Sequence, residues 1–318
     1  TGHVPGAIRK KYPKAKLHKI RWNEWETYLL DPLDPHFAGI AKMFLEEQTK
    51  RYGTDHLYAA DPFIEMIPPR GDAKYLADLS RAIYAGMAES DPEAIWVLQG
   101  WTFMYKRTFW TQPRFRALLD AVDDRRMLLL DLFCEHTPMW NKTEAFCGKP
   151  WLRCNIQSFG GVVHLSGNLE VNNAGLWATR RDPKRGQLVG LGFVNEALDV
   201  NPVVYDLMFE AAWRDKPVDL DAWIIDYARR RYGRKNSDAE AAWCLLRETV
   251  YQSAYPRGAV LDRFPTMKPR RDVTHDNARL AEAWRRLLLA ADECGGIDAY
   301  RFDLVNVARQ TLSNHAAV

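Results

Sequence analysis

The sequence lacks a marked excess of charge of either sign, and it lacks long hydrophobic runs. Its 44 basic and 41 acidic side chains leave a net charge of +3, which argues against nucleic acid as a partner. No apolar stretch approaches the roughly 18 residues of a membrane-spanning helix, so no membrane contact is predicted. With 47% hydrophobic and 27% charged residues among 318, the composition is that of a globular protein and excludes disordered or collagen-like chains.

The motifs that hold metals and nucleotide cofactors are also missing. The five cysteines show no close metal-ligand spacing, and no histidine–cysteine cluster or zinc-protease motif is present. The glycines at 160–161 and at 190 and 192 do not form the phosphate-binding turn Gly-x-Gly-x-x-Gly. No serine stands in a nucleophile elbow. We therefore predict no cofactor and no metal, and carboxylate chemistry becomes the main option.

The first two-thirds of the chain alternates between apolar runs and helical periodicity. Continuous apolar runs are typical of parallel strands buried on both faces, so each run predicts a strand of an α/β fold. The predicted strands are 57–60, 94–99, 127–133, 152–157 and 188–194. The predicted helices between them have apolar positions within 37–45, 76–87 and 115–122, and Gly53 is expected to end the first.

After about residue 200 only helical spacing is found. The apolar stretches are 204–211, 223–227, 243–250 and 280–288, with Asp219 and Ser237-Asp238 as expected N-caps and 255–274 as an expected loop. We place a domain boundary near residue 212, between an α/β part over 1–212 and an all-helical part over 213–318. No initiator methionine precedes Thr1, and we expect an internal segment of a longer protein.

Polar residues follow each predicted strand, at the edge of a parallel sheet where active sites lie. They are Asp61 and Glu65, Gln99 and Trp101, Asp131 and Glu135, Gln157 and Ser158, and Asn195 and Glu196. Two carboxylates beside aromatic rings fit glycoside hydrolysis, in which one carboxyl protonates the leaving oxygen and the other attacks or stabilises the sugar. A structural role stays open for Asp131, as a buried hydrogen-bonded carboxylate, and for Trp101, as a core residue. Five strands are too few for a closed barrel of eight, so an open doubly wound sheet is kept as an alternative fold.

Short sequence blocks in a fixed order point to one family. They include Gly2-His3-Val4-Pro5, Tyr52-Gly53-Thr54-Asp55-His56, Asp61-Pro62-Phe63, Glu65-Met66, Leu98-Gln99-Gly100-Trp101, Leu130-Asp131-Leu132-Phe133, Phe159-Gly160-Gly161 and Val203-Val204-Tyr205. Over nearly its whole length the chain resembles glycoside hydrolase family 89, the alpha-N-acetylglucosaminidases. Each block is short, and their common order makes the match specific.

The resemblance implies a partial (β/α)8 barrel of about five strands, followed by the start of an all-helical region. It implies a retaining, exo-acting hydrolase that releases terminal alpha-linked N-acetylglucosamine from glycans such as heparan sulfate, with Glu65 as acid/base and Glu196 as nucleophile. The substrate-binding candidates are His3, Tyr58, Gln99, Trp101, Asp131, Glu135 and Ser158. For His3, a loop position without a role stays open.

The resemblance also implies a secreted, periplasmic or lysosomal compartment, and no oligomeric state is predicted. Because three barrel strands would be missing, the isolated chain is expected to be inactive.

Five positions depart from the family pattern and leave the substrate open, and one of them, Asn195, stands where many members have proline. Ile64 stands where polar residues are common, and Arg153 stands where tryptophan is usual. Ser158 and Val162 each replace a usual asparagine. Because polar groups that bind sugar hydroxyls discriminate strongly, their loss is expected to change specificity. Two alternatives therefore stand beside the leading hypothesis: a related glycosidase with altered sugar specificity, and a non-catalytic carbohydrate-binding relative.

Overall fold

A computed structural model describes residues 3–22, 24–161, 163–196, 201–252 and 275–316. The chain divides into two compact units, which are described separately. Unit 1 comprises Thr1–Cys154 and Asp182–Gly192, and unit 2 comprises Asn155–Arg181 and Phe193–Val318. Val162 and the expected loop over 255–274 lie outside the described residues. Among the residues described, no helix combines the length and the apolar character needed to cross a membrane.

The first elements of unit 1 form a three-stranded antiparallel sheet that the sequence analysis does not predict. Its strands are β1 (His3–Val4), β2 (Leu17–Trp22) and β3 (Trp25–Leu30), and α1 (Ile8–Lys11) lies between the first two. The strand order is β1-β3-β2, and β2 pairs with β3 from Leu17↔Leu30 to Trp22↔Trp25. The prediction of five strands omits them because polar residues interrupt their apolar pattern, as in Leu-His-Lys-Ile-Arg-Trp of β2.

The second sheet of the chain has five strands in chain order, and all five are predicted from the sequence. They are β4 (Leu57–Ala59), β5 (Ile95–Gln99), β6 (Met127–Asp131), β7 (Trp151–Gln157) and β8 (Leu188–Asn195). The first three pairings are parallel, with registers that include Ala59↔Val97, Gln99↔Leu130 and Asp131↔Arg153. The strands β7 and β8 begin in unit 1, and their last residues belong to unit 2.

Burial alternates along the central strands, which corrects the expectation of burial on both faces. In β5, Trp96 and Leu98 are buried, whereas Ile95, Val97 and Gln99 are half-buried. The strand β6 alternates in the same way, with Leu129 and Asp131 among its buried residues. Trp151 of β7 lies on the same face, since it is the register partner of Leu129. Along β5 and β6 one face of the sheet is therefore covered, and the other carries the half-buried residues.

Five further helices of unit 1 lie before and between its parallel strands. They are α2 (Pro35–Tyr52), α3 (Ala73–Ala88), α4 (Trp101–Tyr105), α5 (Gln112–Leu119) and α6 (Glu144–Cys147). The Asp34 carboxylate accepts a hydrogen bond from the His36 amide at 2.8 Å and caps α2. Gly53, at a φ of +75°, ends this helix as predicted. The helix α6 is unusual, because its four residues all have positive φ values.

Unit 2 is helical apart from the ends of β7 and β8. Its helices are α7 (Leu169–Arg181), α8 (Pro202–Ala211), α9 (Leu220–Tyr232), α10 (Ser237–Glu248), α11 (Asn277–Leu289), α12 (Ala291–Cys294) and α13 (Asp298–Ala316). Trp223 and Trp243 are buried in its core. Asn236, rather than the expected Ser237-Asp238, caps α10 by accepting from the Ala239 amide at 2.9 Å. The helices α7 and α13 are absent from the sequence prediction, because polar residues such as Asn172 and Gln310 occupy buried positions on them.

Two glycines of β8 allow a close approach of β7 in unit 1. A Cβ atom at Gly190 would lie 2.9 Å from Leu152 Cδ2, and one at Gly192 would lie 2.8 Å from Cys154 Sγ. Side chains of β7 therefore fill the space that residues of β8 would otherwise occupy. This contact explains the glycine pair 190 and 192, which carries no phosphate-binding motif.

We predict that Gly192→Ala lowers the free energy of unfolding by about 1–3 kcal/mol, because the added methyl overlaps the Cys154 thiol. The penalty is expected to shrink in a Cys154→Ala background, since that substitution removes the overlapping sulfur. Denaturant midpoints of wild type, the two single variants and the double variant measure how far the two substitutions depend on each other. Gly39→Ala is the matched control, because nothing lies within 4 Å of its Cβ position in α2. Equal penalties in both backgrounds would contradict the packing argument.

Candidate active site

The first cluster of candidate residues lies at the carboxyl ends of β4 and β5 in unit 1. Glu65 follows β4 in a turn, and Trp101 is the first residue of α4, directly after β5. The Trp101 indole Nε1 donates a hydrogen bond to Glu65 Oε1 at 3.1 Å. Trp101 also contacts Phe133, which follows β6, with ring centroids 6.2 Å apart. The structure thus brings two predicted site residues together, and the indole orients the carboxyl group.

Asp61 joins this edge of the sheet; the sequence analysis names it among the polar residues that follow the strands but assigns it no catalytic or binding role. Its Oδ1 accepts a hydrogen bond from the Gln99 backbone amide at 2.7 Å, which connects the ends of β4 and β5. Burial raises the pKa of Asp61 to about 6, against the lowering effect of that hydrogen bond. Its position directly after the predicted strand 57–60 is the signal that identifies it.

His3 lies on β1 and borders the same region of unit 1. It lines a pocket of about 240 Å³ together with Asp61 and with apolar residues that include Phe37 and Ile83. Its side chain is exposed. The pocket therefore combines one imidazole and one carboxyl group with apolar walls, a lining that can receive a polar ligand group. The role of His3 in binding sugar stays a prediction.

Tyr58 has structural partners away from Glu65. Its side chain is buried, with 6% exposed, and its hydroxyl donates to Asp91 Oδ2 at 2.8 Å. The same hydroxyl bonds Thr54 Oγ1 at 2.8 Å. Thr54 precedes β4 and Asp91 precedes β5, so this network lies toward the amino ends of the strands. The contacts favour a structural role for Tyr58 over the expected role in substrate binding.

Asp131 likewise has structural partners, as the alternative in the sequence analysis foresaw. It is 1% exposed, and its carboxylate accepts hydrogen bonds from the backbone amides of Met139 and Trp140, both at 2.9 Å. Desolvation by burial raises its pKa, while the Trp140 amide acts in the opposite direction. These bonds fix the loop after β6, which carries the half-buried Glu135. The contacts favour a role for Asp131 in positioning this loop.

Arg153 occupies the covered face of the sheet in unit 1. It is the register partner of Asp131, and only 2% of it is exposed. Its positive charge acts against the raised pKa of Asp131. The departure from the usual tryptophan therefore places a buried cation beside a buried carboxyl group, away from the half-buried face of the sheet.

The second cluster lies in unit 2, where β7 and β8 end. Glu196 follows β8, and its backbone amide donates to Gln157 O, the last residue of β7, at 3.2 Å. The exposed Glu196 carboxylate accepts a hydrogen bond from the backbone amide of Gly160. Next to it, Asn195 Oδ1 accepts from the Tyr205 hydroxyl at 2.6 Å. The chain thus orients an exposed carboxylate with backbone groups.

The turn that presents Gly160 contains two left-handed residues. Gly160 has a φ of +69°, and the preceding Ser158 has a φ of +59°. Serine adopts this conformation at a cost, whereas asparagine is among the residues that tolerate it. The Ser158 hydroxyl is buried and has no hydrogen-bond partner among the residues that the structure describes. The usual asparagine of the family therefore fits the backbone of this turn better than serine does.

The described residues contain no group of three or more histidine, cysteine, aspartate or glutamate side chains arranged to hold a metal ion. Of the predicted site residues, the structure brings Glu65 together with Trp101, and Gln99 lies beside Asp61 through its backbone. Ser158 lies in the turn that contacts Glu196. The sequence analysis does not find the Gly160 amide as a partner of Glu196, because a backbone group leaves no side-chain pattern in the sequence.

Comparisons with known proteins cover almost the whole chain. Residues 1–215 match the family model of the alpha-N-acetylglucosaminidase tim-barrel domain, and residues 223–318 match that of its C-terminal domain. Human alpha-N-acetylglucosaminidase is 40% identical over 98% of this chain. The chain spans 44% of that protein, less than half its length. The predicted boundary near residue 212 stays a prediction.

Solved structures show the same fold. A family 89 glycoside hydrolase from Clostridium perfringens, in complex with 2-acetamido-1,2-dideoxynojirmycin, covers 99% of this chain with a TM-score of 0.81 and 24% identity. A form of the Clostridium perfringens protein with two glutamates replaced by glutamine, in complex with its substrate GlcNAc-alpha-1,4-galactose, gives a TM-score of 0.82 at 23% identity. Each match covers 36% of the other chain.

The five parallel strands are thus part of a (β/α)8 barrel, and the helices after them begin a helical region, as predicted. The chain belongs to the alpha-N-acetylglucosaminidase family, glycoside hydrolase family 89.

Proposed function

We propose that the complete protein is a retaining, exo-acting glycoside hydrolase that releases terminal alpha-linked N-acetylglucosamine. One observation carries the proposal: the 40% identity to human alpha-N-acetylglucosaminidase extends over 98% of the chain, including the segments with both candidate glutamates. The Clostridium perfringens relative, whose complex with GlcNAc-alpha-1,4-galactose carries two glutamate-to-glutamine substitutions, supports two working carboxyl groups. The proposed substrate is a carbohydrate, and no cofactor takes part.

In this proposal Glu65 is the acid/base. Its carboxyl group protonates the leaving oxygen in the first step, and its carboxylate removes a proton from water in the second. The Trp101 indole donates a hydrogen bond to Oε1 and orients the carboxyl group. The aromatic surface of Trp101 and Phe133 offers the apolar contact that sugar rings use.

Glu196 is the nucleophile of the proposed reaction. Its carboxylate attacks the anomeric carbon, the bond to the leaving oxygen breaks, and a covalent glycosyl-enzyme forms. Water then attacks the same carbon, restores the carboxylate and releases the sugar with retained configuration. The Gly160 amide stabilises one carboxylate oxygen and limits its rotation, so the other oxygen is free to attack. The exposure of Glu196 fits a group that must reach a ligand.

A second candidate function is a glycosidase of this family with a different preferred sugar. The strained, buried Ser158 favours it, since serine is shorter than the usual asparagine and its hydroxyl lacks a partner in the described structure. Serine in place of asparagine removes a side-chain amide from the turn beside the proposed nucleophile. A panel of aryl alpha-glycosides decides between the two candidates by the ratio of kcat/KM values.

The two glutamates generate the first test, in protein expressed from the complete reading frame. Glu65→Gln is expected to lower kcat/KM on a natural glycoside roughly 10²–10⁴-fold. An activated aryl alpha-N-acetylglucosaminide should lose far less, because its leaving group needs no proton. Glu196→Ala should abolish turnover of both substrates. Glu170→Gln, an exposed change on α7, is the control. Unchanged activity of Glu65→Gln on the natural glycoside would show that the acid role is wrong.

The raised pKa of Asp61 predicts a pH-dependent stability. The folded state favours the protonated form of Asp61. Its contribution to the free energy of unfolding is therefore fully present below a pH of about 4 and is lost as the pH rises through about 6. Asp61→Asn keeps an oxygen for the Gln99 amide and should remove the loss, gaining about 2–3 kcal/mol at pH 7 relative to wild type. Denaturant midpoints between pH 4 and pH 7 measure the difference. The exposed Asp215→Asn is the control, and a gain independent of pH would contradict the prediction.

Ser158→Asn tests the second candidate. We expect the variant to be at least as stable as wild type, because asparagine tolerates a φ of +59°. We also expect it to raise kcat/KM for the N-acetylglucosaminide, relative to other aryl glycosides, roughly tenfold. Ser158→Gly relieves the backbone without adding an amide and separates the two effects. Equal sugar preferences in all three proteins would exclude Ser158 as a determinant of specificity.

A further inference from the structure

The segment after the Gly160 turn, residues 163–167, is held by buried side-chain amides of unit 2. We call it the 163–167 loop. Asn201 Oδ1 accepts from the Ser166 amide at 3.2 Å, and its Nδ2 donates to His164 O at 3.4 Å. Gln310 Oε1, on α13, accepts from the Leu165 amide at 3.0 Å. Two side chains thus bond backbone groups of this irregular loop.

The two amides are themselves fixed in orientation. Gln310 Nε2 donates to Asn314 Oδ1 at 2.8 Å, so its Oε1 must face the loop. Asn201 Oδ1 also accepts from the Tyr251 hydroxyl at 3.1 Å. Asn201 is 3% exposed, and Gln310 and Asn314 are each 2% exposed. Buried, mutually bonded polar groups of this kind specify one geometry, because a broken member leaves another without a partner.

Packing restricts the loop from its other end. Gly167 has a φ of +133°, and a Cβ atom there would lie 2.4 Å from Val204 Cγ2 on α8. The backbone therefore packs directly against that helix. On the side of β7, Gln157 Nε2 donates to Ser166 O at 3.4 Å. The same residue, Gln157, accepts from the Glu196 amide through its carbonyl oxygen. The loop and the candidate nucleophile thus share Gln157 as a neighbour.

We propose that Gln310 is a positioning residue for Glu196, acting through the 163–167 loop with Asn201 as the second contact. The loop is separated by one residue from the Phe159–Gly161 turn whose amide bonds the Glu196 carboxylate. Holding the loop therefore holds that donor in place. The inference rests on the proposed function and extends it, because it makes the last described helix of the chain part of the support for the nucleophile.

The test compares three variants of the protein from the complete reading frame. Gln310→Met keeps the length of the side chain and removes both hydrogen-bonding atoms. Gln310→Glu keeps an acceptor for the Leu165 amide. Thr311→Val is the matched control, because Thr311 is a buried neighbour on α13 whose hydroxyl bonds only Val307 O of its own helix in the described structure. The readouts are kcat and KM on an aryl alpha-N-acetylglucosaminide, and amide hydrogen exchange of a peptide spanning the loop.

We expect Gln310→Met to lower kcat about 10–100-fold, with KM changed less than about threefold and faster exchange in the loop. Gln310→Glu should recover most of kcat, since a buried carboxyl group turns neutral and still accepts. Thr311→Val should retain kcat. Wild-type kcat in folded Gln310→Met would overturn the inference, as would an equal loss of kcat in Thr311→Val. Absence of turnover in the wild-type protein would instead overturn the proposed function, and this inference with it.

Discussion

Backbone amides that bind carboxylates at the ends of parallel strands are the interaction on which the rest of the structure depends. The Gln99 amide bonds Asp61 after β4, the amides of the following loop bond Asp131 at the end of β6, and the Gly160 amide bonds Glu196 after β8. Each bond fixes a turn or loop at the edge of the sheet where α/β enzymes carry their chemistry. The register of β4 with β5, which pairs Ala59 with Val97, places Asp61 beside Gln99 two residues further along.

Much of this arrangement could be predicted from the sequence, because it depends on local pattern. Apolar runs predict all five parallel strands, and Gly53 predicts the end of a long helix. The facing of side chains could not be predicted, since a continuous apolar run hides which residues alternate toward the covered face. Such a run also does not show that Tyr58 and Asp131 hold hydrogen bonds within the fold, and their roles in substrate binding stay predictions. The antiparallel sheet was missed because charged residues interrupt its strands.

The residues that depart from the family pattern lie in different surroundings, which give them different expected effects. Arg153 lies on the covered face beside Asp131, so its charge acts on the interior of unit 1. Ser158 lies in the turn that contacts Glu196 and has a left-handed backbone. Val162 falls outside the described residues. A change in sugar preference is therefore best sought at Ser158, and a change in stability at Arg153. The Gly160 amide belongs to the backbone, so a search for side-chain patterns finds the candidate nucleophile Glu196 without this hydrogen-bond donor.

The central claim is that Glu65 and Glu196 act by double displacement on an alpha-linked sugar. The stereochemistry of the first product tests it most directly, because two inversions at the anomeric carbon restore the starting configuration and one does not. Protein from the complete reading frame would be mixed with an aryl alpha-N-acetylglucosaminide in an NMR tube, and the anomeric signals followed before mutarotation. The account predicts that the alpha anomer of N-acetylglucosamine appears first. Initial appearance of the beta anomer would contradict it.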